Sequence, residues 1–223
     1  MQYQTDPEGY GRIATFDIET THYDPDEGET VAIGVGVHNA DNHETPATFE
    51  TFLRESRSDE GELVERAFRY IDKVDPDALV SYNGIDFDMD FLYKRSAHTD
   101  TKPTPPDVHV NGPHVDLFAD RKAVCDSDTK WPSLEECVAA YDYPVPETIW
   151  NGSPVTNTRF GEELAPTWLE ACAGTHDASI DELRDVLDHY LITDLEANLA
   201  VYYADRGIEY KPIILGRTAS FET

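Results

Sequence analysis

A short apolar stretch that ends in two acids, RIATFDIET at residues 12–20, constrains the fold of this chain more than any other feature. Ile13 and Phe16 are typical of a buried β-strand. Asp17 and Glu19 follow at alternate positions, so they project from the same face of that strand. Two carboxylates held this close repel one another unless a cation lies between them or both face water. The strand therefore predicts either a metal site or a solvated end.

Four further segments read as strands. Residues 30–39, TVAIGVGVHN, alternate as a half-buried strand does, and residues 45–53, TPATFETFL, form a third strand. The short connections between these first three strands predict an antiparallel meander. Residues 77–84, DALVSYNG, predict a strand that enters a turn at Asn83 and Gly84, and residues 114–120, HVDLFAD, predict the fifth strand.

Helical periodicity appears between and after these strands. Residues 59–74 place their apolar side chains on one stripe, and residues 85–98 read as a helix that begins with acids. Ser133 with Glu136 forms a predicted capping box in front of a third helix. A second box, formed by Ser179 and Glu182, begins a long last helix that extends to about Asp205.

The remaining segments lack a clear period, and the whole pattern indicates an α/β fold. Residues 101–113 are rich in proline and predict a loop, whereas residues 147–164 predict irregular structure. Strands followed by alternating strands and helices imply a mixed sheet covered by helices. No repeat or linker interrupts the chain, so we expect residues 1–223 to form a single domain.

The charge of the chain is strongly negative. Its 223 residues include 17 basic and 45 acidic ones, a net charge of -28, and the acids are spread through every segment. We interpret this as the surface of a halophilic protein that is soluble in molar salt; hydrophobic residues at 39% argue against disorder. Phosphate binding usually relies on Lys and Arg, but molar salt shortens the Debye length to about 3 Å, so the total charge does not exclude a nucleic-acid partner.

Cysteine usage and hydropathy indicate the cellular compartment. Cys125, Cys137 and Cys172 are widely spaced and fit neither a disulfide framework nor a zinc site, which predicts free thiols and a cytoplasmic protein. No apolar run approaches the roughly 20 residues of a membrane span. The segment MQYQTDPEGYG lacks the charged and apolar regions of a signal peptide, so we expect no membrane partner.

Two other acids stand where a solvated charge is unexpected. Asp88 lies between Phe87 and Phe91, where the chain passes from a strand into a helix. Asp194 falls on the apolar stripe of the last helix, one turn after Tyr190. A carboxylate that faces the core needs a partner, and no Lys or Arg lies within a turn of Asp194 on that stripe.

Convergence of these acids predicts a metal site. Carboxylate oxygens suit Mg²⁺ or Mn²⁺, and two such ions about 3.5 to 4 Å apart can activate a water and stabilise the leaving oxygen in phosphodiester hydrolysis. The alternative is a set of solvated acids on a halophilic surface.

Three short motifs carry a resemblance to a known family. FDIET at residues 16–20, YNGIDFD at residues 82–88 and YLITD at residues 190–194 occur in the order and with the internal spacing of the exonuclease motifs of the DEDD superfamily. From Ile13 to about Tyr203 the chain resembles the 3′-5′ proofreading exonuclease domain of family B DNA polymerases and its free-standing relatives. This resemblance implies a ribonuclease H-like fold, a five-stranded mixed sheet with helices on both faces, and metal-dependent 3′-5′ exonuclease activity.

The resemblance also implies roles for individual residues. The ligands of two divalent metal ions, Mg²⁺ or Mn²⁺, would be Asp17, Glu19, Asp88 and Asp194. Tyr190 would orient the water that attacks the terminal phosphodiester. Asn83 and Phe87 would meet the 3′-terminal nucleotides, Phe87 by stacking or by supporting the site. The alternatives for these two are a turn asparagine and a core phenylalanine.

His189 and Tyr190 both have a spacing from Asp194 that the superfamily uses. His189 precedes Asp194 by five residues, as in the histidine subclass, and Tyr190 precedes it by four, as in the tyrosine subclass. In a helix already formed at Asp181, position 190 lies about 40° from position 194, whereas position 189 lies about 140° away. We therefore predict the tyrosine subclass and a solvated His189.

Three acids near the motifs receive other interpretations. Asp90 occupies a position where relatives commonly carry proline, and it either favours the start of the helix or disturbs metal binding. Asp86 is predicted to be an N-cap. Asp116 ends a strand near the site, and we predict a structural or supporting role for it.

The substrate is less defined than the chemistry. A polymerase palm, fingers and thumb do not fit in 223 residues, so we expect a stand-alone nuclease or one that depends on a protein partner in DNA or RNA processing, such as DNA repair. The 3′ ends of single-stranded DNA are the favoured substrate, because the second motif is polymerase-like, and RNA is the close alternative. Two other classes remain open: an endonuclease of the ribonuclease H type, and a nucleic-acid-binding module without turnover.

Overall fold

The computed structural model of the protein describes residues 9–40, 45–125, 130–145 and 147–223. Within these ranges the main sheet has five strands: β1 (Arg12–Thr20), β2 (Thr30–Asn39), β3 (Thr48–Leu53), β4 (Ala78–Ser81) and β5 (His114–Asp116). A smaller sheet contains β6 (Thr148–Trp150), β7 (Ser153–Pro154) and β8 (Ala219–Phe221). The α-helices are α1 (Glu60–Val74), α2 (Asp90–Arg95), α3 (Asp107–Val110), α4 (Leu117–Val124), α5 (Leu134–Ala140), α6 (Asn157–Arg159), α7 (Ala165–Cys172) and α8 (Ile180–Asp205). Two π-helical turns span Gly84–Met89 and Phe160–Leu164, and a 3₁₀ turn spans Ser96–His98.

The main sheet is mixed, with strand order β3-β2-β1-β4-β5. Strands β1, β2 and β3 form the predicted antiparallel meander, whereas β1 pairs with β4, and β4 with β5, in parallel. The predicted ribonuclease H-like fold with a five-stranded mixed sheet is confirmed. Because β1 is the central strand, neighbouring strands hold its backbone on both sides.

Helices cover both faces of this sheet, as predicted. Phe16 packs on one face in a core with the α1 stripe that contains Leu63 and Ile71, and all three side chains are fully buried. Ile13, one of the alternate residues of β1, lies in a different core with α8 and α5. Successive side chains of β1 therefore enter opposite helical layers, and Asp17 and Glu19 share the layer of α8.

Strand β2 is buried on both faces, which corrects the prediction of a half-buried strand. Residues 30–36 are all buried. A Cβ atom at Gly34 would lie 2.7 Å from Leu195 Cδ1 and 2.8 Å from Leu191 Cγ, both on α8. Helix α8 therefore packs directly on the backbone of β2. The small residues of β2, which alternate with larger ones and suggest a solvent-exposed face in the sequence, leave the space that this helix occupies.

The predicted fifth strand is shorter than the sequence indicates. Strand β5 ends at Asp116, and residues 117–124 form α4. The Asp116 carboxylate accepts hydrogen bonds from the backbone N–H groups of Phe118 and Ala119, at 3.0 and 3.2 Å. This N-cap starts the helix directly after the strand, because it satisfies N–H groups that have no partner within the helix.

Other segments also contain structure that the sequence did not reveal. The prediction of irregular structure for residues 147–164 was wrong, because this segment holds β6, β7 and α6 and ends in a π-helical turn. Strand β6 pairs in parallel with β8, which lies far along the chain, so no local pattern indicates it. Within the predicted loop 101–113 lies the short helix α3, and the helix predicted for residues 85–98 begins with a π-helical turn.

Side-chain caps define the helix starts that the sequence predicted. Ser133 and Glu136 form both bonds of a capping box at the start of α5. The predicted second box is half formed among the described residues: Ser179 accepts a hydrogen bond of 3.4 Å from the backbone N–H of Glu182, without the return bond to the Glu182 side chain. Helix α8 ends at Asp205 as predicted.

The three cysteines are free thiols. The sulfur of Cys137 is buried and accepts a hydrogen bond of 3.0 Å from Arg121 Nε. In the part of the chain that the structure describes, no helix combines the length and the apolar character that crossing a membrane requires.

Two histidines beside β5 share a hydrogen bond. His109 Nδ1 lies 2.7 Å from His114 Nδ1, and His114 Nε2 lies 2.8 Å from Ser81 Oγ. One ring nitrogen of the pair has to accept, so both rings cannot be charged while this bond persists. Burial, reinforced by the neighbouring His109, lowers the pKa of His114 to about 3, and burial also lowers the pKa of His109.

We predict that these neutral imidazoles make the fold sensitive to mild acid. The unfolded chain takes up protons near pH 6.5, whereas folded His114 does not until about pH 3. The contribution of His114 to the free energy of unfolding should therefore be largest above about pH 6.5 and fall as the pH is lowered. Chemical denaturation of wild type and His114→Gln from about pH 7.5 to about pH 5 measures this. The advantage of wild type should shrink toward the acid end.

The control for this measurement is His176→Gln, which replaces an exposed imidazole. A difference between wild type and His114→Gln that stays constant over this pH range would contradict the prediction.

Candidate active site

The end of β1 carries the first two predicted site residues. Asp17 lies opposite Gly34 and Glu19 opposite Ala32 in the β1–β2 ladder. Both carboxylates are half-buried and face α8, because they follow Ile13 at even spacing along the strand. The strand therefore presents two acids to one helix at the edge of the core.

Helix α8 supplies the third carboxylate. Close packing of Leu191 and Leu195 on Gly34 brings the intervening Asp194 to the end of β1. One oxygen from each of Asp17, Glu19 and Asp194 can be chosen so that all three atoms lie within 4.8 Å of one another. Residues far apart in the sequence thus form one carboxylate cluster.

Asp88 approaches this cluster from the second motif but lies outside the set of three. Its side chain is only 3% exposed, and its Oδ2 atom is buried with no hydrogen-bond partner among the residues that the structure describes. Burial and then the charge of Asp88 raise the pKa of Asp17, so Asp88 acts electrostatically on the cluster. A buried carboxylate oxygen without a hydrogen bond destabilises the fold unless a bound ligand interacts with it.

The turn that carries Asp88 is held by Asp116. Asn83 adopts the left-handed conformation, with φ of 67°, and begins the π-helical turn Gly84–Met89. The backbone N–H groups of Asn83 and Ile85 donate to Asp116 Oδ1 and Oδ2, at 2.9 and 3.1 Å. Asp116 therefore has the supporting role that the sequence indicated. Such π-helical turns are frequent at functional sites.

Glycine is required in this turn by close approach. A Cβ atom at Gly84 would lie 2.2 Å from Ser81 Oγ and 3.3 Å from Asp88 Oδ2. Any larger residue would push the turn away from β4 and displace the Asp88 carboxylate.

The electrostatics of the site are unfavourable for four anions in isolation. Burial raises the pKa of each carboxyl of Asp17, Glu19, Asp88 and Asp194 well above its ordinary value. Neighbouring carboxylates raise these pKa values further, with Asp17 and Asp194 both acting on Glu19. A cluster of this kind is stabilised when positive charge is added to it.

Divalent cations fit this donor set. Oxygen ligands from carboxylates are those that Mg²⁺ and Mn²⁺ prefer. The three clustered oxygens offer such ligands, and so does Asp88 Oδ2, which has no hydrogen-bond partner among the described residues. Glu135 also adds negative charge, since it raises the pKa of Asp194.

Tyr190 lies at the cluster, and His189 does not. The Tyr190 side chain is 8% exposed, and burial followed by the charges of Glu19, Asp194 and Asp17 raises its pKa well above the ordinary value. His189 instead lies 2.7 Å from Thr148 Oγ1 through Nδ1 and 3.1 Å from the Arg217 carbonyl oxygen through Nε2. The prediction of a solvated His189 was wrong. Its contacts with Thr148 in β6 and with Arg217, just before β8, leave the side chain half-buried.

Asn157 is a site residue that the sequence did not reveal. Tyr190 Oη donates a hydrogen bond of 2.7 Å to Asn157 Oδ1, and the Tyr190 ring stacks on Phe160 with centroids 5.3 Å apart. Both partners belong to residues 147–164, where no periodicity is visible. The local signal for the start of α6 is Thr156. Its Oγ1 accepts a hydrogen bond from the backbone N–H of Arg159 and caps the helix.

An open groove of about 600 Å³ leads to the carboxylates. Asn83 and Phe87 line it beside Asp17, Glu19, Asp88 and Asp194. Phe87 is half-buried and its ring centroid lies 5.9 Å from that of Phe91, so one side of it contacts the core. Each residue thus has its structural role, as a turn asparagine and a partly buried phenylalanine, and also borders the groove.

Two further acids, Asp86 within the second motif and Asp90 just after it, lie outside the cluster. Asp86 is not an N-cap as predicted, because it lies within the π-helical turn and pairs with Lys122 Nζ at 2.8 Å. Asp90 is exposed and pairs with Lys94 Nζ at 2.7 Å.

Comparison with known proteins agrees with this fold. The family model RNase_H_2, of the RNase_H superfamily, matches residues 14–158, well over half of the chain. The family B DNA polymerase of the hyperthermophilic archaeon Pyrobaculum calidifontis superposes with a TM-score of 0.59 and 19% identity, over 90% of this chain and 25% of that one. This likeness shows a shared fold. The protein belongs to the RNase_H superfamily.

Sequence similarity points to relatives that are much longer. A DNA polymerase of Desulfurococcus sp. (strain Tok) is 34% identical over 88 residues, which are 38% of this chain and 11% of the polymerase. A DNA polymerase of Thermococcus aggregans is 31% identical over 88 residues, 38% of this chain and 5% of the polymerase. The chain therefore spans about a tenth or less of the length of these relatives.

We predict that neutralising one cluster carboxylate stabilises the metal-free fold and abolishes its response to metal. In the presence of a metal chelator, Asp194→Asn should have a higher melting temperature than wild type, because the substitution removes like-charge repulsion and the burial of one anion. A gain of 1 kcal/mol would correspond to about 2–4 °C for a chain of this size. With Mn²⁺, wild type should gain stability according to the ratio of ion concentration to dissociation constant, and the variant should gain little.

Thermal melting in molar KCl, with chelator and with Mn²⁺, measures both effects. Asp185→Asn, which removes an exposed charge from the same helix, is the matched control. Equal Mn²⁺ responses in wild type and Asp194→Asn would contradict a metal site at the cluster.

Proposed function

We propose that the protein is a metal-dependent 3′-5′ exonuclease that removes mononucleotides from single-stranded nucleic acid, with DNA favoured over RNA. The observation that carries this proposal is the carboxylate cluster of Asp17, Glu19 and Asp194, which lines one groove together with Asp88. The buried Tyr190 hydroxyl lies close enough to this cluster that, after burial, the charges of Glu19, Asp194 and Asp17 raise its pKa. The similarity to DNA polymerases supports a nucleic-acid substrate. In this proposal residues 1–223 act as one exonuclease domain of the tyrosine subclass.

The carboxylates would act as ligands of two divalent cations, Mg²⁺ or Mn²⁺. Such ions, when bound, activate a water for attack on phosphorus and stabilise charge on the leaving oxygen. The water attacks the last phosphodiester, the bond from phosphorus to the 3′ oxygen breaks, and a nucleoside 5′-monophosphate leaves. The protein holds its acids in place before the substrate arrives, since β1, α8 and the Asp116-bound turn fix their positions.

Tyr190 would orient the attacking water. Its hydroxyl proton is directed to Asn157 Oδ1, which leaves the oxygen lone pairs available to accept a hydrogen bond from water. The raised pKa keeps the phenol neutral beside the carboxylates. Stacking on Phe160 and the bond to Asn157 fix the ring without a charged partner.

Asn83 and Phe87 would contact the terminal nucleotides, because they line the groove next to the cluster. The half-exposed ring of Phe87 offers a surface for stacking, and the turn at Asn83 presents a side-chain amide. The scattered acids, a net charge of -28, support a halophilic protein, so activity is best sought in molar salt.

We predict that wild type shortens 5′-labelled single-stranded DNA from its 3′ end in molar KCl with Mn²⁺ or Mg²⁺. Asp17→Ala should lose this activity by several orders of magnitude, since it removes a central ligand. Gel analysis of DNA and RNA oligonucleotides in parallel measures the direction of degradation and the preferred sugar.

The products separate this proposal from its alternatives. A ladder of fragments that shorten one nucleotide at a time supports it, whereas internal fragments would indicate an endonuclease. Metal-dependent binding of the oligonucleotide without any cleavage would indicate a binding module that lacks turnover. A preference for RNA would be consistent with the proposed exonuclease reaction and would contradict the predicted preference for DNA.

A second prediction assigns the water-orienting role to Tyr190. Tyr190→Phe should lower kcat about 100-fold at unchanged metal affinity, because a misplaced water slows the reaction by about this factor. His189→Gln should alter thermal stability rather than kcat, since His189 bonds Thr148 and Arg217. Full activity of Tyr190→Phe together with an inactive, folded His189→Gln would reverse the assignment.

A further inference from the structure

Trp131 is exposed in a way that the fold does not require. Its side chain is 53% exposed, whereas the other two tryptophans, Trp150 and Trp168, are 5% and 0% exposed. Trp131 directly precedes the Pro132–Ser133 start of α5. Large aromatic side chains left in solvent beside a groove are typical of binding surfaces.

Three rings form what we call the aromatic platform: Tyr82, Phe118 and Trp131. The centroids of Phe118 and Trp131 are 5.7 Å apart with planes at 85°, and those of Tyr82 and Phe118 are 5.3 Å apart. Tyr82 Oη donates a hydrogen bond of 2.5 Å to the Pro132 carbonyl oxygen, which fixes the segment that carries Trp131. The platform is thus a built arrangement rather than a single loose side chain.

A lysine covers part of the platform. Lys122 Nζ lies 4.9 Å from the centroid of Phe118 and 5.8 Å from that of Trp131. The same ammonium group pairs with Asp86, in the turn that carries Asp88. Helix α4 therefore connects the platform to the second motif, and a positive charge stands at aromatic faces within a very acidic protein.

The platform and the carboxylates share one groove. Tyr82, Phe118 and Trp131 line it on one part, together with Lys130, and Asp17 with the other acids lines another part. A polymer with its end at the carboxylates can therefore extend over the rings.

We propose that the aromatic platform binds unpaired nucleobases of the strand whose 3′ end lies at the carboxylate cluster. This inference rests on the proposed exonuclease function and names the part of the substrate that lies beyond the reacting nucleotide. Every base has a π-face, so stacking on aromatic rings is tolerant of sequence. Bases in a duplex are already stacked and paired, so the platform selects single-stranded ends.

The charge of the protein favours this mode of binding. A net charge of -28 repels a polyanion, and phosphate contacts alone would weaken further in salt. Stacking does not depend on net charge. The lysines beside and in the groove, Lys122 and Lys130, are already paired with Asp86 and Glu136. Short-range aromatic contacts therefore provide the attraction that the overall electrostatics lack.

Binding of fluorescein-labelled oligodeoxythymidylate, measured by anisotropy in molar KCl with chelator, tests the platform without hydrolysis. Trp131→Ala should bind about tenfold more weakly than wild type, within the range expected for the loss of one stacked base. Trp131→Phe should retain most of the affinity, because it keeps an aromatic face. Tyr93→Ala, which removes an aromatic ring that is 75% exposed outside this groove, should bind as wild type does.

Intrinsic fluorescence gives a second readout. Unlabelled oligodeoxythymidylate should quench wild-type tryptophan emission and leave that of Trp131→Phe unchanged, since the remaining tryptophans are buried. A blunt duplex should bind wild type and Trp131→Ala equally.

Two results would overturn the platform: wild-type affinity in Trp131→Ala, or an affinity of Trp131→Phe as low as that of Trp131→Ala. The exonuclease proposal fails by a different result, namely intact DNA after incubation of wild type with Mn²⁺. Because the binding assay contains no metal, its outcome does not depend on that one.

Discussion

Repulsion among carboxylates that the fold holds partly out of water is the constraint on which this structure depends. Asp17, Glu19 and Asp194 approach within 4.8 Å through their oxygens, although each raises the cost of ionising its neighbours. The fold overcomes this with apolar packing. Strand β1 is paired on both sides, and α8 lies directly on the backbone at Gly34, so neither element can move to relieve the charges. Positive charge added at the cluster therefore reduces the repulsion between carboxylates that the packed strand and helix hold together.

The acids of the site differ from the structural acids in their hydrogen bonds. Asp116 accepts from four backbone N–H groups, and Glu196 accepts from those of Ile213, Ile214 and Leu215 at 2.6 Å each. Glu60 binds both the Thr30 N–H and the Arg95 guanidinium. Asp88, by contrast, has a buried oxygen without a donor among the residues that the structure describes. In a chain with 45 acidic residues, this buried oxygen without a donor among the described residues separates Asp88 from the acids whose hydrogen bonds support the fold.

Local patterns were sufficient to locate the strands of the main sheet and the acids of the cluster, but not the length of β5 or the burial of β2 on both faces. Alternation and capping motifs predicted β1, β2 and α8, because side-chain burial and N-terminal capping act over a few residues. The same reasoning failed at β6, whose partner β8 is remote in sequence, and at α4, where one Asp116 carboxylate replaces a strand by a helix. Asn157 was missed because its bond to Tyr190 joins two segments with no shared pattern.

By itself the sequence determined the strands of the main sheet, the long last helix and the presence of several acids at apolar positions, since periodicity and composition are properties of short segments. That Tyr190 and not His189 faces Asp194 also followed from helix geometry, although the contacts of His189 with Thr148 and Arg217 did not. Only the tertiary structure decided that Asp194 reaches Asp17, that Asp88 stands slightly apart, and that Trp131 shares their groove. These are distances between remote segments, and they depend on how closely helices and turns pack on the sheet.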